Sequence, residues 1–436
     1  MIPVLTWDEL LARREAGEAD LELIRQRVRE IIDSVRRGGD AALLDWTSRL
    51  DGVQLAHPAL PSEWREAARK HVTAEWRASL EKAAERIRRF HEQQRQRSWF
   101  QTEENGTVLG QLVRPLERVG VYVPGGKAAY PSSVLMNVIP AQVAGVQEIV
   151  LVTPPHAEGV SPYVLAAAEL LGIEEIYCVG GAQAVAALAY GTETIRPVDK
   201  IVGPGNIYVA MAKREVFGRV GIDLIAGPSE VVVVGDGTVP ALYAACDLLA
   251  QAEHDPMAAA ILIAADASWA QAVQKAVAEE LAVLPRAAIA RQALAERGGI
   301  VVVGDMEEAM AAANRLAPEH LELLVADPWR WLPKVQHAGA VFLGSDSPEA
   351  LGDYLAGPNH VLPTSGAARF ASALSVDDFI KKTSLIAASP PLLAEVADDV
   401  IRLAESEGLQ AHARSVAVRK SGPTNGACPA EGGKCQ

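Results

Sequence analysis

Four stretches in the second half of the chain place side chains at spacings suited to chemistry. Ala317-Pro-Glu-His-Leu321 sets the carboxylate of Glu319 beside the imidazole of His320. Histidine titrates near neutrality and glutamate can activate water, so this pair suits general acid–base work, although a chance Glu-His pair in a loop has the same spelling. Gln251-Ala-Glu-His254 falls near the end of a helix predicted to start around Pro240. Residues three apart share a helix face, so the Gln251 amide oxygen and the His254 imidazole can meet at a metal; a polar helix end with His254 capping is the alternative. The loop Gly352-Asp-Tyr-Leu-Ala-Gly-Pro-Asn-His360 offers Asp353 as a hard oxygen ligand and His360 as another imidazole, or is plain surface. Glu407 and His412 flank Gly408 at the end of a C-terminal helix, where surface placement is the plainer reading.

Of nine histidines, His254, His320, His360 and His412 fall in these polar motifs, while His57, His71, His91, His156 and His337 read as surface or packing residues. A Gln, His, Asp and His ligand set has no sulfur, which suits Zn, Mn or another first-row metal with coordination positions left open for substrate.

A second group of motifs is rich in glycine: Tyr122-Val-Pro-Gly-Gly126, Gly180-Gly-Ala-Gln183 and Gly203-Pro-Gly-Asn206. Each lies at or just after a predicted strand, where a strand-to-helix turn exposes backbone N–H groups to phosphate or carboxylate. A single such turn is usually only a turn; three in one α/β unit point to a ligand crevice. No G-x-G-x-x-G or Walker sequence occurs, so these glycines alone do not establish a nicotinamide cofactor.

The elements that must carry these motifs are legible as periodicity. Helical spacing runs through Leu21 to Val35 and Trp64 to Phe90 in a helical N-terminal region, 1–112. From about Val113 short β-branched runs alternate with amphipathic helices, the signature of mainly parallel sheets. Predicted strands are Val119–Val123, Ile149–Val152, Ile176–Val179 and Lys200–Val202, then Glu230–Val234, Ala260–Ala264, Ile300–Val303, Glu322–Val325 and Ala340–Phe342. They form two α/β units, 113–228 and 229–363, parted near Ala226-Gly227-Pro228. A small C-terminal segment, 364–420, contains a helix over Leu392–Gly408 and a strand-like Ser415–Val418; 421–436, with Cys428 and Cys435, reads as a disordered tail.

Composition narrows the partners. With 436 residues and 49% hydrophobic content the chain can bury several cores, and its formal charge of -14 repels nucleic acid and anionic membranes. No targeting segment or span of bilayer length is read, and Cys178 and Cys246, taken as buried free thiols, fit a reducing, cytoplasmic setting.

The wording of the motifs is specific enough to name a family. RVGVYVPGGKAAYPSSVLMNVIPAQVAG, VGGAQAVAALAYGT, VDKIVGPGNIYV, AGPSEV, QAEHDP, APEHLE, AGPNHVLPT and LQAHARSV resemble histidinol dehydrogenases, near-continuously from Arg118 to about Val418. The resemblance implies two incomplete Rossmann-like domains with mainly parallel sheets and small helical terminal segments. It implies a zinc-containing enzyme that oxidises L-histidinol to L-histidine through L-histidinal with two NAD and one water. Zinc would be held by Gln251, His254, Asp353 and His412, and NAD would contact Tyr122, Gln183 and Asn206. Substrate would meet Ser229, Gln251, His254, Glu319, His320, Asp353, His360, Glu407 and His412, with His320 as base in both oxidations and Glu319 activating water in the second. The family's intertwined homodimer implies that Glu407 and His412 come from the other copy. Two rival readings are an enzyme on the same scaffold acting on an acidic alcohol and a metal-dependent binder without turnover. His360 and Glu407, where an anion would call for Arg or Lys, oppose the first; the Glu319-His320 pair and the three glycine turns oppose the second.

Overall fold

Runs such as Val231-Val-Val-Val234 lack polar alternation and are stable as strands only where both faces are covered. The structure, a computed structural model, describes residues 2–15, 21–125 and 130–421. The chain divides into a large unit of residues 1–95 and 115–380 and a small unit of 96–114 and 381 onward.

In chain order, β1 (Trp99–Thr102) and β2 (Val108–Pro115) form an antiparallel hairpin. The first parallel sheet follows with β3 (Arg118–Tyr122), β4 (Glu148–Val152), β5 (Ile176–Tyr177), β6 (Lys200–Val202) and β7 (Gly221–Ile222), in the order β5-β4-β3-β6-β7. The second holds β8 (Glu230–Gly235), β9 (Ala259–Ala264), β10 (Gly299–Val302), β11 (His320–Leu324) and β12 (Ala340–Leu343), in the order β10-β9-β8-β11-β12. Finally β13 (Ile380–Ala387) lies beside β2. In both parallel sheets the earliest strand is central and the chain reverses direction beside it, which opens a crevice at that switch point.

Helices cover both faces. In the first sheet Val119 and Val121 pack with the helices Ala74–Glu92, Pro131–Ala144 and Pro162–Leu170, while Tyr122, Val150 and Val152 face Leu21–Asp51, Gly181–Tyr190 and Ile207–Val216. In the second, Val231 and Val233 pack against Ala241–Ala252, Ala267–Leu281 and Ala287–Glu296, and Val232 and Val234 against Trp7–Glu15 and Met306–Leu316. The expected fold class, α/β with two mainly parallel sheets and helical terminal segments, is the one found.

Several local expectations change. The periodicity from Trp64 to Phe90 is split at Val72, and Thr73 caps the second helix by accepting from the Trp76 N–H. Strands β1, β2 and β13 arise where none is read, because each is half-exposed or exposed and lacks an apolar run. Ser415–Val418 is not a strand. It lies inside the helix Gln410–Lys420, which packs along the helix Pro390–Ser406 with Ala413 buried, so tertiary packing overrides the two valines' β preference. Cys178 is buried, but Cys246 is exposed, since it points from the outer face of its helix. Residues 422–436, including Cys428 and Cys435, lie outside the described residues. Among the described residues no helix is long and apolar enough to cross a membrane.

Candidate active site

The first sheet presents its glycine turns at the C-terminal ends of its strands. Tyr122 closes β3, and its hydroxyl accepts from the Gly181 N–H at 3.1 Å, at the start of Gly181–Tyr190. Gln183 is fully buried one step along that helix; its Nε2 donates to Asp51 at 3.4 Å and its Oε1 has no partner. Gly203, after β6, has φ +109°, and a Cβ there would sit 2.1 Å from the Tyr122 carbonyl, so only glycine fits. The Gly203 N–H donates to Asp223 at 2.7 Å and its carbonyl accepts from Lys213 at 3.1 Å; Asp223 and Lys213 are themselves ion-paired in the interior. Asn206 is exposed and caps the helix Ile207–Val216 through its Oδ1. Gly126 lies outside the described residues.

The second sheet uses its opposite edge. The helix Met306–Leu316 ends with Ala317 in the left-handed region at φ 50°, and Pro318 then turns the chain into β11. His320, the first residue of β11, stands opposite Val231 of β8 and Ala340 of β12. Glu230 at the start of β8 templates the pair with both backbone groups: its N–H donates to Glu319 Oε2 at 2.9 Å, and its carbonyl lies 3.2 Å from His320 Nδ1. A carbonyl can only accept, so the proton sits on Nδ1 and Nε2 is left with a free lone pair.

Both side chains are nearly inaccessible, at 5% exposure for Glu319 and 4% for His320. Burial drives the Glu319 carboxyl well above the ordinary carboxylate range, against the lowering hydrogen bond from Glu230. Burial likewise pushes His320 down to about 4, despite Asp353 nearby, so the ring is neutral at physiological pH.

The helix that follows β8, Ala241–Ala252, runs back to this same edge and delivers Gln251 in its last turn. His254 lies just past the helix, in the turn closed by its own N–H to the Gln251 carbonyl at 3.2 Å. The short helix Glu349–Tyr354 brings Asp353, whose Oδ1 is 3.7 Å from His360 Nδ1. Burial alone would raise the Asp353 carboxyl, but His360 together with the fields of His320 and His254 holds it below its usual value. The His360 loop is pinned by Asn359, buried and donating to the Met136 carbonyl at 2.6 Å.

The donor set fits a cation. Gln251 is fully buried with neither amide atom partnered, and His360 Nε2 is also buried and unpartnered. Such atoms are rare in folded chains unless an ion, water or ligand satisfies them. Among the described residues no three His, Cys, Asp or Glu side chains form a metal cluster by themselves, so any metal here also needs the Gln251 amide or a donor from another copy.

Comparison with known proteins decides the family. The sequence model of the family described as histidinol dehydrogenase matches residues 14–420. Histidinol dehydrogenase of Syntrophotalea carbinolica is 56% identical over 92% of this chain and 94% of its own length. That of Pseudomonas syringae pv. syringae is 54% identical over 98% and 95%. The crystal structure of histidinol dehydrogenase from Elizabethkingia anophelis superposes with a TM-score of 0.87 at 37% identity, covering 93% of this chain and 96% of that one. The chain belongs to the histidinol dehydrogenase family. It is therefore an oxidoreductase of histidine biosynthesis by family.

In this histidinol dehydrogenase family member, Glu319, His320, Asp353 and His360 gather at one edge with His254, and Gln251 is carried there by its helix. Ser229 immediately precedes β8 at the same edge, and its carbonyl accepts from Ala259 at 3.0 Å. Tyr122, Gln183 and Asn206 belong to the other sheet, which approaches through Tyr130, close enough for Asp353 to raise its hydroxyl pKa alongside burial. Glu407 and His412 lie in the small unit, both exposed, at the end of Pro390–Ser406 and within Gln410–Lys420. Sequence reading missed Glu230, Glu322, Glu349, Asp247 and Tyr130. Glu230 and Glu322 left one signal, a carboxylate in a run that must be buried on both faces.

Proposed function

We propose that this chain is a zinc-dependent, cytoplasmic histidinol dehydrogenase, which carries L-histidinol through L-histidinal to L-histidine with two NAD and one water. Gln251, His254 and Asp353, with His412 of the partner subunit, would hold zinc; Tyr122, Gln183 and Asn206 would contact NAD. When bound, zinc would supply a fixed anchor for substrate nitrogens and NAD the acceptor for hydride. His320 Nε2 accepts the hydroxyl proton in each oxidation, because Nδ1–H is committed to Glu230. Glu319, fixed by the Glu230 N–H through Oε2, keeps its other oxygen for the water that hydrates the aldehyde, and its raised pKa makes its ionised form a stronger base. Ser229 and His360 border the substrate, and Glu407 from the partner subunit favours an amine-bearing one. The domain division 113–228 for NAD and 229–363 for metal and catalysis, and an intertwined homodimer, belong to the same reading.

One observation carries it: a neutral imidazole and a high-pKa carboxyl templated by one backbone residue, beside a buried amide with no protein partner. Purified protein supplied with zinc, histidinol and NAD should form NADH. Turnover of an acidic alcohol but not histidinol would replace the substrate assignment. His320→Asn should lower kcat by about 10²–10⁴-fold with zinc content unchanged, and an unaltered rate would remove His320 as base.

A further inference from the structure

Each polar group of Glu230 binds a different residue. Its N–H and carbonyl serve Glu319 and His320, its Oε1 accepts from the Ser365 N–H at 3.0 Å, and its Oε2 accepts from Arg14 Nη2 at 2.9 Å. Glu230 stands at the start of β8, paired to Ala259 and one residue ahead of the Val231–His320 pair, where a strand frays unless something else holds it. The side chain supplies that hold. Only a carboxylate can serve, because it accepts on both oxygens whereas an amide accepts on one.

Both anchors are fixed in turn. Arg14 lies in the last turn of the helix Trp7–Glu15, which Thr6 and Glu9 cap reciprocally, the Thr6 N–H donating to Glu9 at 2.8 Å and the Glu9 N–H to Thr6 at 3.3 Å. Leu10 of that helix is buried in one core with Val232 and Val234. The residues before it are bonded to β10, the Leu5 N–H to the Ile300 carbonyl and the Ile300 N–H to the Pro3 carbonyl, each at 2.8 Å. On the other side Ser365 has φ 55°, a conformation costly to a non-glycine residue, and its neighbour Thr364 accepts from the Gly227 N–H at 2.6 Å. Arg14 Nη1 is buried with no partner. A buried unpaired donor costs stability, so a guanidinium kept only to stabilise the fold would be poorly placed here.

We propose that Arg14 is a positioning residue for the reaction: by holding the Glu230 carboxylate it keeps the Glu230 peptide where it orients Glu319 and commits the Nδ1 proton of His320. The inference rests on the reading of His320 as base. Without Arg14 the Glu230 carboxylate, at 4% exposure, loses its counter-charge and is drawn toward water, and its peptide moves with it. The Nδ1 contact, at 3.2 Å, stands at the outer end of the N–H···O range, so a small shift frees the proton to sit on either ring nitrogen. A ring protonated on Nε2 cannot accept the substrate proton there, so only part of the enzyme is competent at any moment.

The test is Arg14→Met in the full-length protein supplied with zinc, with Glu230→Gln as a second, near-isosteric variant. We expect kcat to fall about 10–100-fold in each, with KM for histidinol and for NAD within about twofold and zinc content unchanged. The double variant should be no slower than the slower single one, because the two side chains act as a unit. Arg14→Lys, which restores one charged donor, should recover a large part of the rate. A further reading needs no turnover. With the histidine ring nitrogens isotopically labelled, NMR of the resting protein should show His320, identified by its loss in His320→Asn, protonated at Nδ1 alone. In Arg14→Met the proton should exchange between both nitrogens, whereas a purely structural role would lower the folded fraction without moving the tautomer. Unchanged kcat, an unaltered ring pattern in both variants, or losses that multiply in the double variant overturns the assignment of Arg14. His320→Asn at full rate overturns the base reading instead, so the two failures are read from different measurements.

Discussion

The two parallel sheets share one strand order, yet their N-terminal edges are built on opposite electrostatic rules. In the first, Arg118 opens β3 and binds Glu148 and Glu175 at 2.9 and 2.8 Å, and Lys200 opens β6 and binds Asp378 at 3.0 Å. At the same edge of the second, Glu230, Glu319, His320 and Glu349 gather, and Arg14 binds Glu230 at 2.9 Å. Paired charge at a sheet edge is scaffold. Unpaired acids left in the interior shift their pKa values and hold protons, which is what acid–base chemistry requires.

The sharpest way to break this comparison is to make the second edge less acidic. Glu319→Gln keeps the shape and the acceptor for the Glu230 N–H but removes the proposed water-activating base. It should lower the aldehyde-to-acid step by about 10²–10³-fold while the first hydride transfer survives, read as a burst of one NADH per site with histidinol. A steady full-stoichiometry rate would show that Glu319 is not needed there.

The next effect belongs to the first sheet's other edge. Gly203→Ala places a Cβ against the Tyr122 carbonyl at φ +109°, and should destabilise the protein by about 2–3 kcal/mol and raise KM for NAD more than KM for histidinol. Equal change in both constants would detach this turn from the cofactor.

Arg118→Ala tests the scaffold edge itself. Because Glu175 keeps solvent contact, the loss should be modest, about 1–2 kcal/mol in denaturant unfolding, with kcat unchanged in the folded fraction. A large fall in kcat at intact stability would contradict the division of roles.

The smallest effect is a slope with pH. The folded-state pKa values of Glu319, Glu322 and Glu349 lie above their unfolded values, so the folded chain binds more protons as pH rises past the ordinary carboxylate range. Their contribution is full below that range and is lost as pH rises through the raised values. His320 acts oppositely and lower: with a folded pKa of about 4, it weakens the fold as pH drops below its ordinary value. Stability should therefore decline from mildly acidic to alkaline pH, and Glu349→Gln should flatten that decline in urea titrations across pH.

Much of the positioning was readable beforehand. The β-branched runs predict β3, β4, β6, β8 and β9 nearly to the residue, since a strand buried on both faces must be apolar throughout. The sequence predicts β11 from Glu322 to Val325; the structure starts it two residues earlier, at His320, making the imidazole part of the sheet edge. The hairpin of β1 and β2 went unread because its residues are mostly exposed and obey no period of burial.

The sequence by itself determined the family, the two alternating α/β series and the residue types at the site, because local periodicity and long motifs are properties of the chain's order. It could not assign Glu230 to Glu319 and His320, which it precedes by about ninety residues, or bring Glu322, Glu349 and Asp247 to one buried cluster. Strand pairing and burial exist only after folding, and those two decide which nitrogen of His320 is free and which carboxyls keep their protons.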